Sequence, residues 1–354
     1  MRQATLIYNP LAGPVNLAAT IELVADFWRA RGWRVFIRAT QAAGHATQLA
    51  EEAAVSGHRL VLAAGGDGTL GEVANGLAGT AAVMAPLPVG TANSFARELC
   101  MPRPGILTNH QLLQAADALA NGRVQQMDLG YTHDEGGNGR YWLLWAGTGT
   151  DGFLVNEVEP RPRWSKRLGP LGYTMQAAAA LPHLPTMHAT VDIDGQQISD
   201  AFTLIVASNC RLYAGGLVKL SPQAFLDDGL FEVWLFRGSG IGKTAQHLWH
   251  SLRGEHLHRE DMILIHGRSI AIHSDPIMPC QTDGDKADSH PFIAKSNHKP
   301  CTFLSPTPLR QTCSANPAHP YKAPTLQLAK EQELKLRHSR ERGYLLHGLL
   351  LRQR

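Results

Sequence analysis

The chain is poor in cysteine and in aromatic residues, and its cysteines follow no pattern typical of a stapled or zinc-binding protein. Only 7% of its 354 residues are Phe, Trp or Tyr, and the five cysteines are odd in number. They are widely separated, with no Cys-x-x-Cys pair: Cys100, Cys210, Cys280, Cys301 and Cys313. Neither a disulfide framework nor a cysteine-based zinc site is therefore indicated.

Long hydrophobic runs are also missing. No apolar stretch approaches the roughly 20 residues that a membrane-spanning helix needs. The start, Met1-Arg2-Gln3, leads directly into a brief apolar stretch at 4–8, which is too short for a signal peptide. A net charge of +3 is too small to indicate a nucleic-acid partner, but it is compatible with an anionic membrane surface. We expect a cytoplasmic protein without a transmembrane segment, for which peripheral membrane contact stays open.

The first third of the sequence alternates between strand-like and helix-like patterns. Short apolar runs predict strands at 5–8, 34–39, 59–64 and 82–87, and apolar residues at helical spacing predict helices at 17–31, 45–55, 70–77 and 111–121. Such alternation requires crossover connections, which give a parallel sheet covered by helices. We therefore expect an α/β first domain, with any ligand bound outside the carboxyl ends of its strands.

After residue 121 the spacing of the apolar residues changes to that of β-strands with short links, which predicts a mainly antiparallel β domain. Strands are predicted at 123–129, 141–146, 188–193, 202–207, 230–236 and 263–272, with helices near 171–181 and 241–252. Asp194-Gly195 predicts a hairpin turn. The predicted domains are 1–127 and 128–306, with a last strand near 302–306 that can return to the first domain. Residues 307–354 read as a linker and a basic amphipathic tail.

One glycine-rich turn stands between an apolar strand and a helix: Gly65-Gly66-Asp67-Gly68-Thr69. Its glycines let the backbone approach a ligand closely, and the amides at the start of a helix attract a phosphate. A carboxylate beside a phosphate is repulsive unless it holds a magnesium ion, a metal-bound water or a sugar hydroxyl. Asp67 therefore favours a nucleotide over a plain strand-to-helix connection.

Two further turns follow strands of the same predicted sheet. They are Asn9-Pro10-Leu11-Ala12-Gly13 and Gly90-Thr91-Ala92-Asn93-Ser94-Phe95-Ala96-Arg97. Pro, Gly and Asn also occur in ordinary turns. Three such turns at one edge of a sheet, each with an Asn, Asp or Thr, indicate a shared nucleotide site.

In this order the three turns resemble the soluble diacylglycerol, sphingosine and bacterial lipid kinase family. That family has Asn-Pro-x-x-Gly, Gly-Gly-Asp-Gly-Thr and Gly-Thr-Ala-Asn-x-Phe-Ala motifs, which stand here at 9–13, 65–69 and 90–96. The likeness covers about residues 4–306. Second-domain motifs continue it: Lys166-Arg167-Leu168-Gly169 with Tyr173, Asn209 with Tyr213-Ala214-Gly215-Gly216, and Pro222-Gln223-Ala224 followed by Asp228-Gly229-Leu230.

The resemblance implies an ATP-dependent lipid kinase, which transfers the γ-phosphoryl group to a hydroxyl of diacylglycerol or a related lipid at a membrane surface. ATP and Mg²⁺ are the implied cofactors, and a homodimer stays open. The residues implied in nucleotide binding are Asn9, Pro10, Gly13, Thr40, Gly65, Gly66, Asp67, Gly68, Thr69, Thr91 and Asn93. Asp67 is a candidate magnesium ligand, and Asp228 with the carbonyls of Phe225 and Leu230 is implied to hold a structural magnesium ion.

Two positions depart from the family's pattern. Ala12 replaces a common small polar residue, and Asp283-Gly284-Asp285 stands where the family has Asp-Gly-Glu. The acid there is implied to be the base that accepts the lipid hydroxyl's proton, and Asp285 is one methylene shorter than Glu. A misplacement of about 1 Å can cost on the order of a hundredfold in rate. Whether Asp283 or Asp285 is the base stays open.

Three other readings compete with a lipid kinase. NAD kinase shares the Gly-Gly-Asp-Gly-Thr turn but lacks the Asn-Pro-x-x-Gly start. A P-loop enzyme is suggested by Gly-Lys-Thr at 242–244, but Arg237 stands where that motif requires its first glycine. A non-catalytic lipid- or nucleotide-binding regulator is supported by Asp285 alone.

Overall fold

The structure is a computed structural model that describes residues 2–12, 17–90, 92–101, 109–133, 139–158, 176, 179–287, 292–296 and 300–306. The predicted tail at 307–354 lies outside these residues, as do Gly13, Thr91, the 166–169 motif and Tyr173. Most of the helix predicted near 171–181 lies outside them as well. Within the described part, no helix has both the length and the apolar character to cross a membrane.

A mostly parallel sheet with helices packed on it forms the first structural unit. Its strands are β1 (Arg2–Tyr8), β2 (Trp33–Ala39), β3 (Leu60–Gly65), β4 (Val83–Pro88), β5 (Arg123–Met127) and β17 (Cys301–Ser305). The helices are α1 (Ala18–Arg29), α2 (His45–Val55), α3 (Asp67–Leu77), α4 (Ser94–Glu98) and α5 (Asn109–Ala120). The strand order is β2-β1-β3-β4-β17-β5, and β17 runs parallel to β4 but antiparallel to β5. The last described strand therefore lies inside the first sheet.

The core of this unit explains why its central strands are apolar along their whole length. Every residue of β3 and β4 is buried, because helices cover both faces of the sheet. The helix α1 turns Ile21, Val24 and Trp28 toward the sheet, which is the one-sided pattern expected from their spacing.

The second unit is an antiparallel sheet. Its strands are β6 (Gly130–His133), β7 (Gly139–Trp142), β8 (Trp145–Gly149), β9 (Met187–Ile193), β10 (Gln196–Ser208), β11 (Phe231–Arg237), β12 (Met262–Gly267), β13 (Ser269–Asp275), β14 (Cys280–Thr282), β15 (Asp285–Ala287) and β16 (Phe292–Ser296). Two helices accompany it, α6 (Thr150–Val158) and α7 (Gly240–Leu252). The order is β15-β14-β8-β10-β9-β13-β16-β6-β7, and β11 lies between the end of β10 and β12. An α/β unit joined to an antiparallel β unit is the predicted fold class, which is thereby confirmed.

Two predicted strands are each divided in the structure. The strand expected at 141–146 breaks between β7 and β8, where the amides of Leu143 and Leu144 donate to the carboxylate of Asp283. The strand expected at 263–272 breaks at Arg268, because the amides of Arg268 and Ser269 donate to Asp194. In both places a carboxylate from another segment takes the amides, which periodicity within one strand does not reveal.

Candidate active site

The glycine-rich turns that follow β3 and β4 are in direct contact. A Cβ atom built on Gly90 would lie 2.5 Å from the Cα of Gly66, so a side chain at position 90 would force the turns apart. The amides of Val89 and Gly90 both donate to the carbonyl of Gly65. Glycine is required here for close backbone approach, and the two turns form one continuous surface.

The turn after β1 joins the same edge. The side-chain amide of Asn9 lies 3.5 Å from Oγ1 of Thr69, and Oδ1 of Asn9 accepts the amide of Leu11 at 2.9 Å. The amide of Thr40, just after β2, donates to the carbonyl of Tyr8 at 2.9 Å. Asn9, Thr40 and Thr69 therefore lie around the carboxyl ends of adjacent strands.

Asp67 links the glycine-rich turn to α4. Its Oδ2 accepts the amide of Ser94 at 2.9 Å, and its Oδ1 accepts the amide of Phe95 at 3.0 Å. These are orphan amides at the start of a helix, so Asp67 caps α4 from outside it. Sequence reasoning assigned Asp67 to a metal or a sugar and missed this role. The metal role stays a prediction.

Asn93 occupies a strained position in the same loop. Its φ of 48° is left-handed, and its Nδ2 donates to the carbonyl of Gly90 at 2.5 Å. Its Oδ1 is buried and has no hydrogen-bond partner among the described residues. A buried acceptor without a partner is costly, so this oxygen is suited to a donor from a ligand or a water.

Asp283 and Gly284 form the two-residue turn of a β-hairpin. Both have positive φ, 52° and 87°, and they connect Thr282 to its paired residue Asp285. In this turn the carboxylate of Asp283 is buried, and it accepts hydrogen bonds from the amides of Leu143, Leu144 and Trp145 at 2.7–3.2 Å. Burial raises the pKa of Asp283 to about 6, against the opposing effect of those amides.

Asp285 is placed differently from Asp283. Its side chain is 52% exposed, and its Oδ2 lies 3.5 Å from Nη2 of Arg140. A Cβ atom built on Gly68 would lie 3.4 Å from the same Oδ2, whereas one on Gly71 would lie 3.4 Å from Oδ2 of Asp283. Both carboxylates thus face α3 from the second unit, but Asp285 is the accessible one, beside the glycine-rich turn.

Asn75 fixes α3 against the second unit. Its Nδ2 donates to the carbonyl of Tyr141 at 2.6 Å, and its Oδ1 accepts the amide of Tyr141 at 2.7 Å. Tyr141 follows Arg140 in β7, so this paired contact fixes the strand next to Arg140. No motif in the sequence points to Asn75 or Arg140, although Asn75 lies two turns after the glycine-rich segment.

A network of hydrogen bonds through Asp151 and Gln281 supports the Asp283–Asp285 turn. Oδ2 of Asp151 accepts from the hydroxyl of Tyr213 at 2.7 Å and from Nε2 of Gln281 at 2.8 Å. Gln281 in turn accepts the amide of Gly284 through Oε1 at 2.9 Å. Burial raises the pKa of Asp151 to about 6. Tyr213 belongs to one of the family motifs, but no signal within the sequence connects it to Asp151.

A second group of carboxylates lies at the junction between the two units. Oδ1 of Asp228 accepts the amide of Leu230 at 3.0 Å, and Oδ2 of Asp128 accepts the amide of Gly229 at 2.5 Å. Burial raises the pKa of Asp128, and it raises that of Glu232 to about 8, with the negative charge of Asp228 adding to both shifts.

Oε2 of Glu232 is buried without a hydrogen-bond partner in the described part of the chain, and a pKa of about 8 leaves this carboxyl group protonated at neutral pH. Among the described residues no three His, Cys, Asp or Glu side chains converge on a metal position. The predicted magnesium set has one carboxylate, Asp228, and two main-chain carbonyls, of Phe225 and Leu230. Oxygen ligands of this kind suit a hard divalent cation, which would offset the charge of Asp228 that raises the pKa of Asp128 and Glu232.

Known protein families match both units. Residues 3–132 match the diacylglycerol kinase catalytic domain, and residues 146–303 match the family described as the YegS C-terminal NAD kinase beta sandwich-like domain. Together they cover the three turns, the Asp283–Asp285 hairpin and the Asp228 segment.

Relatives and solved structures agree with these matches. The chain is 31% identical over 287 residues to a diacylglycerol kinase of Bacillus subtilis, covering 80% of this chain and 90% of the relative. It is 28% identical over 303 residues to a diacylglycerol kinase of Staphylococcus carnosus, covering 84% and 94%.

A crystal structure of a putative diacylglycerol kinase from Bacillus anthracis shares the fold, with a TM-score of 0.68 at 24% identity over 86% of this chain and 97% of that one. The expected family and the expected enzyme class are thereby confirmed. The chain belongs to the diacylglycerol kinase family, and it is a lipid kinase.

Proposed function

We propose that this lipid kinase transfers the γ-phosphoryl group of ATP to a hydroxyl of diacylglycerol or a closely related lipid. The observation that carries the proposal is the position of Asp285. Its exposed carboxylate faces the glycine-rich turn from the opposite unit, with Oδ2 3.4 Å from where a Cβ of Gly68 would lie. A proton acceptor and a phosphate-binding turn thus border one cleft, as a kinase site requires.

The three turns fit a nucleotide. Gly66 and Gly90 let the turns after β3 and β4 pack against each other as one surface, and the first amides of α3 are directed out of the helix start. Asn9, Thr40, Thr69 and Asn93 line the same edge, and the unpartnered Oδ1 of Asn93 is an acceptor for a ligand donor. Bound ATP supplies the phosphoryl group, and Mg²⁺ offsets charge on its phosphates. Pro10, Gly13 and Thr91 belong to the same turns and stay predictions.

Asp285 is the better candidate for the base. Asp283 uses both carboxylate oxygens on three main-chain amides and is 8% exposed, so it cannot meet a lipid hydroxyl without giving up those bonds. Its role is to hold the hairpin turn against β8. Asp285 then accepts the hydroxyl proton, while Arg140 orients its carboxylate and contributes positive charge beside the phosphate-binding turn.

A structural magnesium ion is proposed at Asp228 with the carbonyls of Phe225 and Leu230. The proposal is supported by the three carboxyl groups that lie together there, of Asp128, Asp228 and Glu232, and by the unpartnered oxygen of Glu232. A cation would stabilise the junction where the chain passes from β5 to β6.

The test is transfer of labelled phosphate from ATP to a panel of lipids by the purified chain. The panel contains diacylglycerol, phosphatidylglycerol, ceramide and a sphingoid base, and NAD is the competing acceptor. We expect phosphorylation of diacylglycerol or a close relative, and its loss in Asp285→Asn. Transfer to NAD and to no lipid would overturn the proposal.

A further inference from the structure

The helix α7 carries its apolar residues on the outside. Leu248, Trp249 and Leu252 are 56%, 60% and 52% exposed, and Ile241 is 44% exposed. Residues 241, 245, 248 and 252 form one stripe, because they recur at intervals of four, three and four along the helix. Leu257, in the helical turn Glu255–His258 that packs beside α7, is 44% exposed and extends the patch. We call the exposed apolar residues Ile241, Leu248, Trp249, Leu252 and Leu257 the α7 patch.

The inner side of α7 is polar. Its buried residues are His247 and Ser251, and Nδ1 of His247 lies 2.8 Å from Oγ1 of Thr203 in β10. Lys243 forms an ion pair with Asp261 at 2.5 Å. Burial lowers the pKa of His247 to about 4, so this histidine is neutral at neutral pH. The usual arrangement of a surface helix is therefore reversed, and folding of the described residues does not account for the apolar stripe.

The segment that carries the stripe has a small excess of positive charge, and four of its basic residues also form ion pairs: Arg237, Lys243, Arg253 and Arg259. The helix contains one lysine and no Asp or Glu. The whole segment 237–268 has five Arg or Lys residues against three Asp or Glu, a formal charge of +2 with its histidines neutral. Arg253 extends over the ring of Trp249, 5.6 Å from its centroid; its side chain is 56% exposed and its Nε pairs with Oε1 of Glu255 at 2.5 Å. Trp and Arg together suit the boundary between lipid headgroups and acyl chains.

The end of β10 that carries α7 also leads to the active site. The side-chain hydroxyl of Thr203 is hydrogen-bonded to His247, and the carbonyl of Thr203 accepts a hydrogen bond from the hydroxyl of Thr150 at 2.7 Å. Thr150 begins α6 and precedes Asp151, which holds Gln281 under the Asp283–Asp285 turn. The α7 patch is thus joined through buried hydrogen bonds to the part of the second unit that faces the cleft.

We propose that the α7 patch is the surface by which the enzyme lies on an anionic phospholipid bilayer while it phosphorylates a lipid there. The inference rests on the proposed function, because a lipid acceptor is held in a bilayer. The helix lies in the interface, with Leu248, Trp249 and Leu252 among the acyl chains and Arg253 at the headgroups.

The experiment uses the full chain and the variant Leu248→Ser/Trp249→Ser/Leu252→Ser. Binding is measured by sedimentation with vesicles of phosphatidylcholine containing phosphatidylglycerol, and with vesicles of phosphatidylcholine alone. We expect wild type to prefer the anionic vesicles and the variant to bind them on the order of tenfold or more weakly, since binding scales with buried apolar area. The matched control is Leu23→Ser/Val55→Ser on α1 and α2, where the side chains are 42% and 90% exposed.

Activity on two forms of the acceptor separates docking from catalysis. The triple variant should phosphorylate a monomeric short-chain diacylglycerol at the wild-type rate but lose activity on diacylglycerol in vesicles. No phosphorylation of either form by wild type would overturn the proposed function instead. Unchanged vesicle binding in the triple variant would overturn the docking surface, as would conversion of a wild-type dimer to a monomer, which would assign the patch to a second copy of the chain.

A fluorescence measurement does not depend on the stability of the triple variant. The difference between the emission of wild type and that of Trp249→Phe isolates Trp249 from the other tryptophans. We expect this difference spectrum to shift to the blue when anionic vesicles are added. An unshifted spectrum at saturating vesicle concentration would contradict insertion of the α7 patch.

Discussion

Nη2 of Arg140 and Oδ2 of Asp285 lie 3.5 Å apart, an ion pair between β7 and β15 whose side chains are 33% and 52% exposed. The pair stands beside Gly68, at the start of α3. An exposed pair of this kind adds little to stability. In the proposed function, the pair instead orients the accessible carboxylate of the hairpin toward the substrate.

Substitution of Asp285 by Asn should lower kcat with little change in the KM for ATP. Loss of a general base costs on the order of 10²- to 10⁴-fold in rate. Asp285→Glu restores the residue of the family's pattern and should keep most of the activity, because the longer side chain can still reach the cleft. Rates on diacylglycerol micelles measure the effect, and Lys286→Ala, on the next residue of β15, is the control. A kcat for Asp285→Asn close to wild type would assign the base elsewhere.

Most of the first unit could be predicted from sequence, because its signals are local. The strands around 60–64 and 83–87 and the turns after them follow from apolar runs that end in glycine. The same holds for the hairpin at Asp194-Gly195, whose positive φ values of 51° and 89° are those that the pair predicts. Asp283-Gly284 carries the identical turn signal, although its carboxylates alone led to the prediction of a catalytic base there.

The distinct roles of the acids could not be predicted, because each depends on partners far away in sequence. Asp67 meets amides 27 and 28 residues away, and Asp283 meets amides about 140 residues away. Spacing alone made Asp283 and Asp285 equivalent candidates for the base. Burial and hydrogen bonding separate them, since one carboxylate is enclosed by main-chain amides and the other is open to the cleft.

Asp283 should make the stability of the protein depend on pH. Its folded-state pKa is about 6, above its ordinary 3.8, so the folded state binds the proton more tightly than the unfolded state. This stabilisation is complete below about pH 4 and is lost as pH rises through 6, by about 3 kcal/mol in total. Asp283→Asn lacks this titration, so the stability advantage of wild type over the variant should shrink between pH 4 and pH 7. Urea unfolding of both proteins across this range is the measurement, and a constant difference would contradict it.

Asn75 should affect catalysis more than its two hydrogen bonds suggest. Asn75→Ala leaves the amide and carbonyl of Tyr141 without their partner, which costs about 1–3 kcal/mol of stability. Because β7 also carries Arg140, a shift of about 1 Å there would lower kcat on the order of a hundredfold. Asn75→Asp keeps the acceptor and loses the donor, so it should be intermediate. The two variants are compared by kinetics and by urea unfolding. A loss of stability without a loss of kcat would show that Asn75 has a structural role alone.

Magnesium should raise the thermal stability of the protein through Asp228. A ligand that binds only the folded state stabilises it by RT ln(1 + [L]/Kd), so Tm should rise with Mg²⁺ concentration. Asp228→Asn should abolish this rise, and Asp227→Asn, at the exposed neighbouring position, should keep it. Thermal scans with added Mg²⁺ and with a chelator measure the difference. An equal rise in Asp228→Asn and wild type would remove this residue from the proposed metal site.

The ion pair between Glu98 and Arg211 should hold the two units together. Nε of Arg211 lies 2.5 Å from Oε1 of Glu98, and Nη2 of Arg211 donates to the carbonyl of Glu98 at 2.9 Å. The two side chains are 2% and 10% exposed, so loss of one leaves a buried charge without its partner. Glu98→Gln and Arg211→Gln should each cost about 3–5 kcal/mol, and the double variant should cost less than the sum of the two.

The exposed pair Arg38 and Glu52 is the control, and its removal should cost less than about 1 kcal/mol. The KM for ATP is a second measurement, because α4 connects the ion pair to the turn at Gly90. The helix ends at Glu98, and the amides at its start donate hydrogen bonds to Asp67. Loosening the end of α4 should loosen the turn at Gly90, so the KM for ATP should rise in Glu98→Gln at temperatures where the variant is folded. An unchanged KM beside a large loss of stability would mean that this pair joins the two units without shaping the turn at Gly90.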